Sequence, residues 1–122
     1  MKALIVGFGS IGKRHYGILN SLSFEVAVVS NREILVEKLY KDLSKAVISF
    51  NPKYVIIANK TSNHYNAIQT LIENKFNGIV LIEKPIFHIK LSMPKNKFSF
   101  VYVGYNLRFH PLLLKLKKEL RL

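Results

Sequence analysis

The chain opens with an apolar run followed immediately by three closely spaced glycines, and this feature constrains its fold most strongly. The run covers residues 1–6, and Gly7, Gly9 and Gly12 follow in the pattern G-x-G-x-x-G. In this pattern the first glycine allows a tight turn and the second lets the backbone approach a pyrophosphate. The third lets a helix pack closely on the strand that precedes it. The sequence therefore predicts a buried parallel strand that turns directly into a helix.

A helix predicted over residues 10–22 would direct its unpaired N–H groups and the positive end of its dipole toward an anion. A dinucleotide is the anion that best suits a strand, glycine turn and helix in this order. The candidate contacts are Gly7, Phe8, Gly9, Ser10, Ile11 and Gly12. A glycine-rich turn with only a structural role is the alternative, because three glycines within six residues also arise by chance.

Short apolar runs alternate with helical spacings along the rest of the chain. Further strands are predicted at 24–29, 54–58, 79–82 and 98–103, and further helices at 33–43, 64–74 and 111–122. Asn63 is expected to cap the helix that begins at His64. Between 86 and 97, Pro94 and several lysines predict an irregular connection. The alternation predicts an α/β fold, a doubly wound and mostly parallel sheet covered by helices on both faces.

Length and composition bound the remaining possibilities. The 122 residues, of which 49% are hydrophobic, suffice for one domain spanning 1–122. The absence of cysteine excludes disulfides, thiolate metal sites and a cysteine nucleophile, and the four histidines lack metal-ligand spacing, so no metal is expected. No apolar run reaches the roughly 18 residues of a membrane span, and no cleavable leader follows Lys2. We expect no membrane association and a cytoplasmic location.

The charge of the chain is strongly positive, with 19 Lys and Arg against 7 Asp and Glu, a formal net charge of +12. Such a charge invites a nucleic-acid hypothesis. The basic residues are nevertheless spread along the chain, and no basic stripe interleaved with aromatic residues is present. The densest group belongs to the terminal helix, where a solvated face explains it. Nucleic acid is therefore not the expected partner, whereas an anionic cofactor would suit a basic surface.

The end of the second predicted strand bears on which dinucleotide fits. An acidic residue there bonds the ribose hydroxyls, whereas a 2′-phosphate requires positive charge. Here the sequence is Ser30-Asn31-Arg32, and the first acid is Glu33. This favours NADP and leaves NAD possible, because Arg32 could simply begin a helix in solvent and Glu33 could still reach a ribose.

Glu83-Lys84-Pro85 directly follows the fourth long strand, at the sheet edge where ligands of open α/β folds collect. A lysine at this edge can act as a charge or exchange a proton. Glu83 could hold the ammonium group of Lys84, and the peptide bond before Pro85 can be cis at small cost. An exposed ion pair at a strand end is the simpler interpretation of the tripeptide taken alone.

Four motifs together resemble the Gfo/Idh/MocA family of NAD(P)-dependent oxidoreductases. They are the glycine turn with His15, the segment 58–64, Glu83-Lys84-Pro85, and the segment 103–111. The resemblance covers nearly the whole chain and corresponds to the family's N-terminal Rossmann domain. The family's C-terminal substrate domain would then be absent from residues 1–122. Two departures are Lys60, where the family commonly has proline, and the short connection between Pro85 and Val103.

The resemblance implies hydride transfer between a nicotinamide and a hydroxyl-bearing carbon of a sugar, sugar derivative or cyclitol. Lys84 matches the family's catalytic lysine, which polarises the reacting hydroxyl beside the nicotinamide. The implied cofactor contacts are Asn59, Thr61, His64, Glu83 and Lys84, besides Ser30, Asn31, Arg32 and the glycine turn, and the implied substrate-side residues are Tyr105 and Arg108. This chain alone is expected to lack the full catalytic site. The alternative is a non-catalytic Rossmann-like binding or regulatory module with a basic surface.

The predicted terminal helix carries more apolar surface than a solvated helix requires. Its leucines are Leu112, Leu113, Leu114, Leu116 and Leu120. Such a surface is ordinarily covered by another domain or another copy. The sequence therefore predicts a homo-oligomer formed through the C-terminal region.

Overall fold

The computed structural model describes residues 1–87 and 89–104. Its strands are β1 (Lys2–Val6), β2 (Glu25–Val29), β3 (Leu39–Tyr40), β4 (Tyr54–Ile57), β5 (Ile79–Glu83) and β6 (Phe100–Gly104). Its helices are α1 (Ser10–Ser21), α2 (Leu43–Phe50) and α3 (His64–Glu73), and a single 3₁₀ turn (Thr61–Asn63) precedes α3.

The six strands form one sheet in the order β3-β2-β1-β4-β5-β6, and every neighbouring pair is parallel. The predicted α/β fold with a doubly wound parallel sheet is therefore confirmed. The chain runs outward from β1 to β3 and then returns to place β4 beside β1. This reversal opens a crevice at the carboxyl ends of β1 and β4, where open α/β sheets bind ligands.

Successive side chains of each strand point to opposite faces of the sheet, and two apolar cores result. Leu4 and Val6 of β1 pack with Val47 of α2 and Leu71 of α3 on one face. On the other face, Ile5 packs with residues that include Leu19 of α1. The strands β1, β2, β4 and β5 are buried on both sides, which is why they read as continuous apolar runs in the sequence.

Leu71→Ala should lower the free energy of unfolding by about 2 to 5 kcal/mol, because the Leu71 side chain is completely buried between α3 and the sheet. Urea unfolding followed by circular dichroism measures this loss. Leu35→Ala is the matched control, since Leu35 is fully exposed and its truncation should change stability by no more than about 0.5 kcal/mol. Equal losses in the two variants would contradict the assignment of the core.

The helix predicted over 33–43 is wrong. In its place the chain is irregular up to Lys38, pairs with Val28 and Val29 through the two-residue strand β3, and begins α2 only at Leu43. The Asp42 side chain accepts a hydrogen bond from the Ser44 N–H and so fixes the start of α2. Pairing along the edge of β2 outweighs the helical spacing of apolar residues in this segment.

Smaller differences occur around α3 and β5. Asn63 stands at the start of α3, but its side chain makes no capping hydrogen bond, so this part of the prediction is wrong. The irregular connection predicted over 86–97 is confirmed for its described residues, which form neither helix nor strand. The predicted helix over 111–122 and the predicted substrate-side residues Tyr105 and Arg108 lie outside the described residues, and the self-association inferred from the terminal leucines stays a prediction.

Candidate functional site

A cavity of about 990 Å³ opens at the carboxyl edge of the sheet, where β1 and β4 meet. Three chain segments that were predicted to bind a cofactor form its wall. The wall includes Gly7, Phe8, Gly9, Ser10 and Ile11 of the glycine turn, Ser30, Asn31 and Arg32 after β2, and Asn59 after β4. Residues from distant parts of the sequence therefore converge on one space.

Gly7 and Gly12 are required by the packing of the turn itself. Gly7 has a φ of +98°, and a Cβ there would lie 2.6 Å from the Cα of Asn59. A Cβ on Gly12 would lie 2.3 Å from the carbonyl oxygen of Gly7. Both distances are far inside van der Waals contact with backbone atoms. A side chain at Gly7 would push the turn away from the segment after β4, and one at Gly12 would push α1 away from the turn after β1.

Gly9 differs from the other two glycines because the position that a Cβ would occupy is free of neighbouring atoms. A Cβ on Gly9 would meet no atom within 4 Å, and its backbone, with a φ of −80°, is one that any residue can adopt. Gly9 nevertheless lies on the cavity wall, directly before the N-terminus of α1. The free space beside Gly9 and the N–H groups of α1 together suit a pyrophosphate group.

Residues 30–32, directly after β2, form the cavity wall on the side of β1 where β2 lies. The backbone of this segment is folded by two interactions of Arg32, whose N–H donates to Ser30 Oγ at 3.2 Å and whose guanidinium donates to the Phe8 carbonyl oxygen. The charged groups on the cavity wall are Arg32, Lys41, Lys60 and Asp42. Three cations against one carboxylate give this wall a net positive charge, which favours an anionic ligand.

Five of the predicted cofactor contacts are not on this wall: Gly12, Thr61, His64, Glu83 and Lys84. His64 is almost fully buried, and its ring lies between two carbonyl oxygens, 2.8 Å from Ile86 and 3.0 Å from Asn59. The ring thereby links the segment after β4 to the segment after β5. A direct contact of any of these five residues with a cofactor stays a prediction.

Glu83 makes a buried contact that the sequence did not indicate. Its carboxylate accepts a hydrogen bond from His15 Nε2 at 2.7 Å, and both side chains are nearly inaccessible to solvent. His15, which the sequence groups with the glycine turn, is fully buried and is the partner of this acid. This contact attaches the end of β5 to α1, immediately beside Lys84.

Lys84 directly follows β5, and its peptide bond to Pro85, which the sequence allowed to be cis, is cis. Lys84 lines a second and smaller cavity of about 320 Å³, whose other walls are mostly apolar side chains of the irregular segment. The other lining residues are Pro85, Ile86, Phe87, Ile89, Lys90, Leu91 and Met93. A lysine beside an apolar cavity at this edge can present a cation to a ligand that extends beyond the larger cavity.

Several residues of the larger cavity were not predicted from the sequence. The missed polar residues are Lys41, Asp42, Lys60, Asn63, Asn66 and Thr70. Lys41 and Asp42 were placed inside a predicted helix, and the helix was wrong. Lys60 departs from the family pattern, in which proline is common, and the structure places it on the cavity wall.

A comparison with protein-family models matches residues 1–95 to the oxidoreductase family Gfo/Idh/MocA, described as having an NAD-binding Rossmann fold. The chain belongs to the Gfo/Idh/MocA family. The matched range contains the glycine turn, the segment after β4 and Glu83-Lys84-Pro85, so the resemblance seen in the sequence is confirmed. As a member of this family the chain is an NAD-binding oxidoreductase domain, and dinucleotide binding is supported.

Solved structures similar to this Gfo/Idh/MocA chain show the same fold. A probable dehydrogenase from Thermotoga maritima has a TM-score of 0.72 at 24% identity over 99% of this chain and 41% of its own. A Gfo/Idh/MocA family oxidoreductase from Vibrio cholerae has a TM-score of 0.68 at 17% identity, covering 99% and 43%. The WlbA (WbpB) dehydrogenase from Thermus thermophilus, solved with NAD and UDP-GlcNAcA, has a TM-score of 0.66 at 20% identity, covering 98% and 46%.

The chain spans less than half the length of each of these three structures. A comparison with curated protein sequences finds no significant match. Within residues 1–87 and 89–104, no helix is long and apolar enough to cross a membrane. In the same part of the chain, no three His, Asp or Glu side chains are grouped closely enough to hold a metal ion.

Proposed function

We propose that this chain holds a nicotinamide dinucleotide in the larger cavity, with the pyrophosphate against Gly9 and the N-terminus of α1. The observation that carries the proposal is the contrast among the three glycines. Gly7 and Gly12 are closed off by backbone, whereas Gly9 faces empty space on the cavity wall. If the turn had only a structural role, Gly9 could carry a side chain, because a Cβ there would meet no atom of the protein.

We further propose that NADP is the preferred dinucleotide and that NAD is bound more weakly. The segment Ser30-Asn31-Arg32 offers a hydroxyl, an amide and a guanidinium at the cavity wall and no carboxylate. An acid in this segment would repel a 2′-phosphate, and a cation attracts one. The family description and two of the similar structures name NAD or NADH, so the proposed preference for NADP rests on residues 30–32 of this chain alone.

The proposed reaction is hydride transfer to or from a hydroxyl-bearing carbon of a sugar, sugar derivative or cyclitol. Two kinds of similar structure support this substrate class. Two WlbA dehydrogenases were solved with UDP-GlcNAcA, and a third similar protein is a UDP-N-acetylglucosamine 3-dehydrogenase from Acidithiobacillus ferrooxidans. A bound nicotinamide would supply the hydride chemistry, and Lys84 would polarise the reacting hydroxyl and stabilise the negative charge that develops on its oxygen.

Lys84→Met should change the balance between the oxidised and reduced cofactors. An ammonium group near the nicotinamide disfavours the positively charged oxidised ring, so we expect NADP⁺ to gain affinity relative to NADPH by about threefold to tenfold when the ammonium is removed. Isothermal titration calorimetry with both cofactors measures the ratio. This readout requires no turnover.

Lys53→Met is the matched control for this measurement, because Lys53 is exposed at the opposite end of the sheet, directly before β4. Its removal should leave the ratio unchanged within about twofold, since a distant exposed charge is screened by salt. If Lys84→Met leaves the ratio as it is in the parent protein, Lys84 does not lie beside the nicotinamide. An equal change in both variants would lead to the same conclusion.

A further inference from the structure

A single ammonium group organises the segment after β2. Lys41 Nζ donates to the carbonyl oxygens of Asn31 and Arg32, each at 3.2 Å, and contacts Glu33 Oε1 at 3.1 Å. These three acceptors belong to successive residues, so one side chain fixes the whole turn. Lys41 comes from the end of β3, and its side chain also lines the larger cavity.

The contact with Glu33 matters because Glu33 is the first acid after β2. In many dinucleotide-binding folds, an acid near this point bonds the ribose hydroxyls and excludes a 2′-phosphate. Here the Glu33 side chain is 93% exposed, is paired with Lys41, and does not contribute to the wall of the cavity. The acid that could have selected an unphosphorylated ribose is therefore held by a cation on the solvent side.

The charge balance at this end of the cavity follows from the same contacts. Arg32 is held by its guanidinium bond to the Phe8 carbonyl oxygen and remains on the wall. Asp42 is the opposing carboxylate on the wall, and it accepts a hydrogen bond from the Ser44 N–H at the start of α2. Glu33 does not line the cavity, so on the wall itself the two cations Arg32 and Lys41 outnumber the one carboxylate, Asp42.

We propose that Lys41 determines cofactor specificity by ordering residues 31–33 and neutralising Glu33, so that the site prefers a dinucleotide with a phosphate on its adenosine ribose. The inference rests on the proposed dinucleotide binding and adds the residue that controls the choice. Lys41 itself lines the cavity, and its contact keeps the Glu33 carboxylate on the solvent side, off the wall.

The test compares the dissociation constants of NADH and NADPH in the purified parent protein and in Lys41→Met, by calorimetry. We expect the preference for NADPH to fall by about tenfold in the variant, since a cation is lost and an anion is released near a doubly charged phosphate. The dissociation constant of NADH should change by less than about threefold, because NADH has no charge at that position. Lys41→Arg retains a cation and should keep most of the preference.

Two further variants measure the contribution of the Glu33 carboxylate and the effect of general surface charge. Adding Glu33→Gln to Lys41→Met should restore about threefold of the lost preference, because the released carboxylate is removed. Lys38→Met is the matched control. Lys38 also pairs with a glutamate, donating to Glu25 at 2.8 Å and lowering the pKa of that carboxyl, but it does not line the larger cavity. Its removal should leave the preference unchanged.

The outcomes are distinguishable. If Lys41→Met weakens NADH and NADPH by the same factor, or leaves their ratio unchanged, the specificity role of Lys41 is overturned while dinucleotide binding stands. If Lys38→Met lowers the preference as much as Lys41→Met, general surface charge is responsible and the inference is again overturned. Failure of the parent protein to bind either dinucleotide would instead overturn the proposed function on which the inference rests.

Discussion

Gly9→Val should abolish dinucleotide binding and leave the fold intact. The valine side chain would enter the open space beside Gly9, where the pyrophosphate is proposed to lie, and the backbone there already has a conformation that valine adopts easily. We expect the dissociation constant of NADPH to rise at least about 100-fold, equivalent to roughly 2.7 kcal/mol. Calorimetric titration measures the affinity, and circular dichroism verifies the fold.

Gly17→Val provides the matched control, because Gly17 is an exposed glycine of α1, the helix that begins directly after Gly9, and its Cβ position is also free of neighbours. Valine is a better helix former than glycine, so this variant should be as stable as the parent protein or slightly more so. It should bind NADPH as the parent does. If Gly9→Val also binds NADPH normally, the space beside Gly9 does not hold the pyrophosphate.

Gly12→Ala should instead destabilise the whole domain. A methyl group at this position would lie 2.3 Å from the carbonyl oxygen of Gly7, and a backbone atom cannot move aside as a flexible side chain can. We expect the free energy of unfolding to fall by about 3 kcal/mol or more, at the upper end of the cost of overpacking. Dinucleotide binding should weaken as well, because α1 must shift away from β1.

Urea unfolding measures this loss, with Gly9→Ala as the control in the same turn. A methyl group on Gly9 meets no neighbour, so the loss of stability should be no more than about 1 kcal/mol, the usual cost of alanine in place of glycine at a helix N-cap. Comparable stability of the Gly12→Ala variant and the parent protein would show that α1 does not pack on β1 as closely as described. The two glycine variants thus separate the binding and the packing parts of one motif.

Much of the fold could be predicted because its signals are local. Strands buried on both faces appear as continuous apolar runs, and the glycine turn joins β1 to α1 within a few residues. The segment 33–43 could not be predicted in this way, since β3 has only two residues and exists through its pairing with β2. A strand of this length has no periodicity of its own, and the apolar spacing around it imitated a helix.

The site was predictable to a similar extent. Residues that adjoin the carboxyl ends of β1, β2 and β4 follow from the topology of a parallel sheet, and Gly9, Ser30 and Asn59 indeed share one cavity. The contact between His15 and Glu83 joins residues 68 positions apart, and no local sequence pattern predicts it. Lys41 was missed because its place on the cavity wall depends on β3.

Titration of NADPH and NADH into the purified protein shows whether the larger cavity binds a dinucleotide. The cavity, the free space beside Gly9 and the positive wall beyond Ser30 predict saturable binding of one dinucleotide per chain, with NADPH bound more tightly than NADH. Both heats of binding should disappear in Gly9→Val. Absence of binding by both dinucleotides up to millimolar concentration, in protein shown to be folded, would contradict the account.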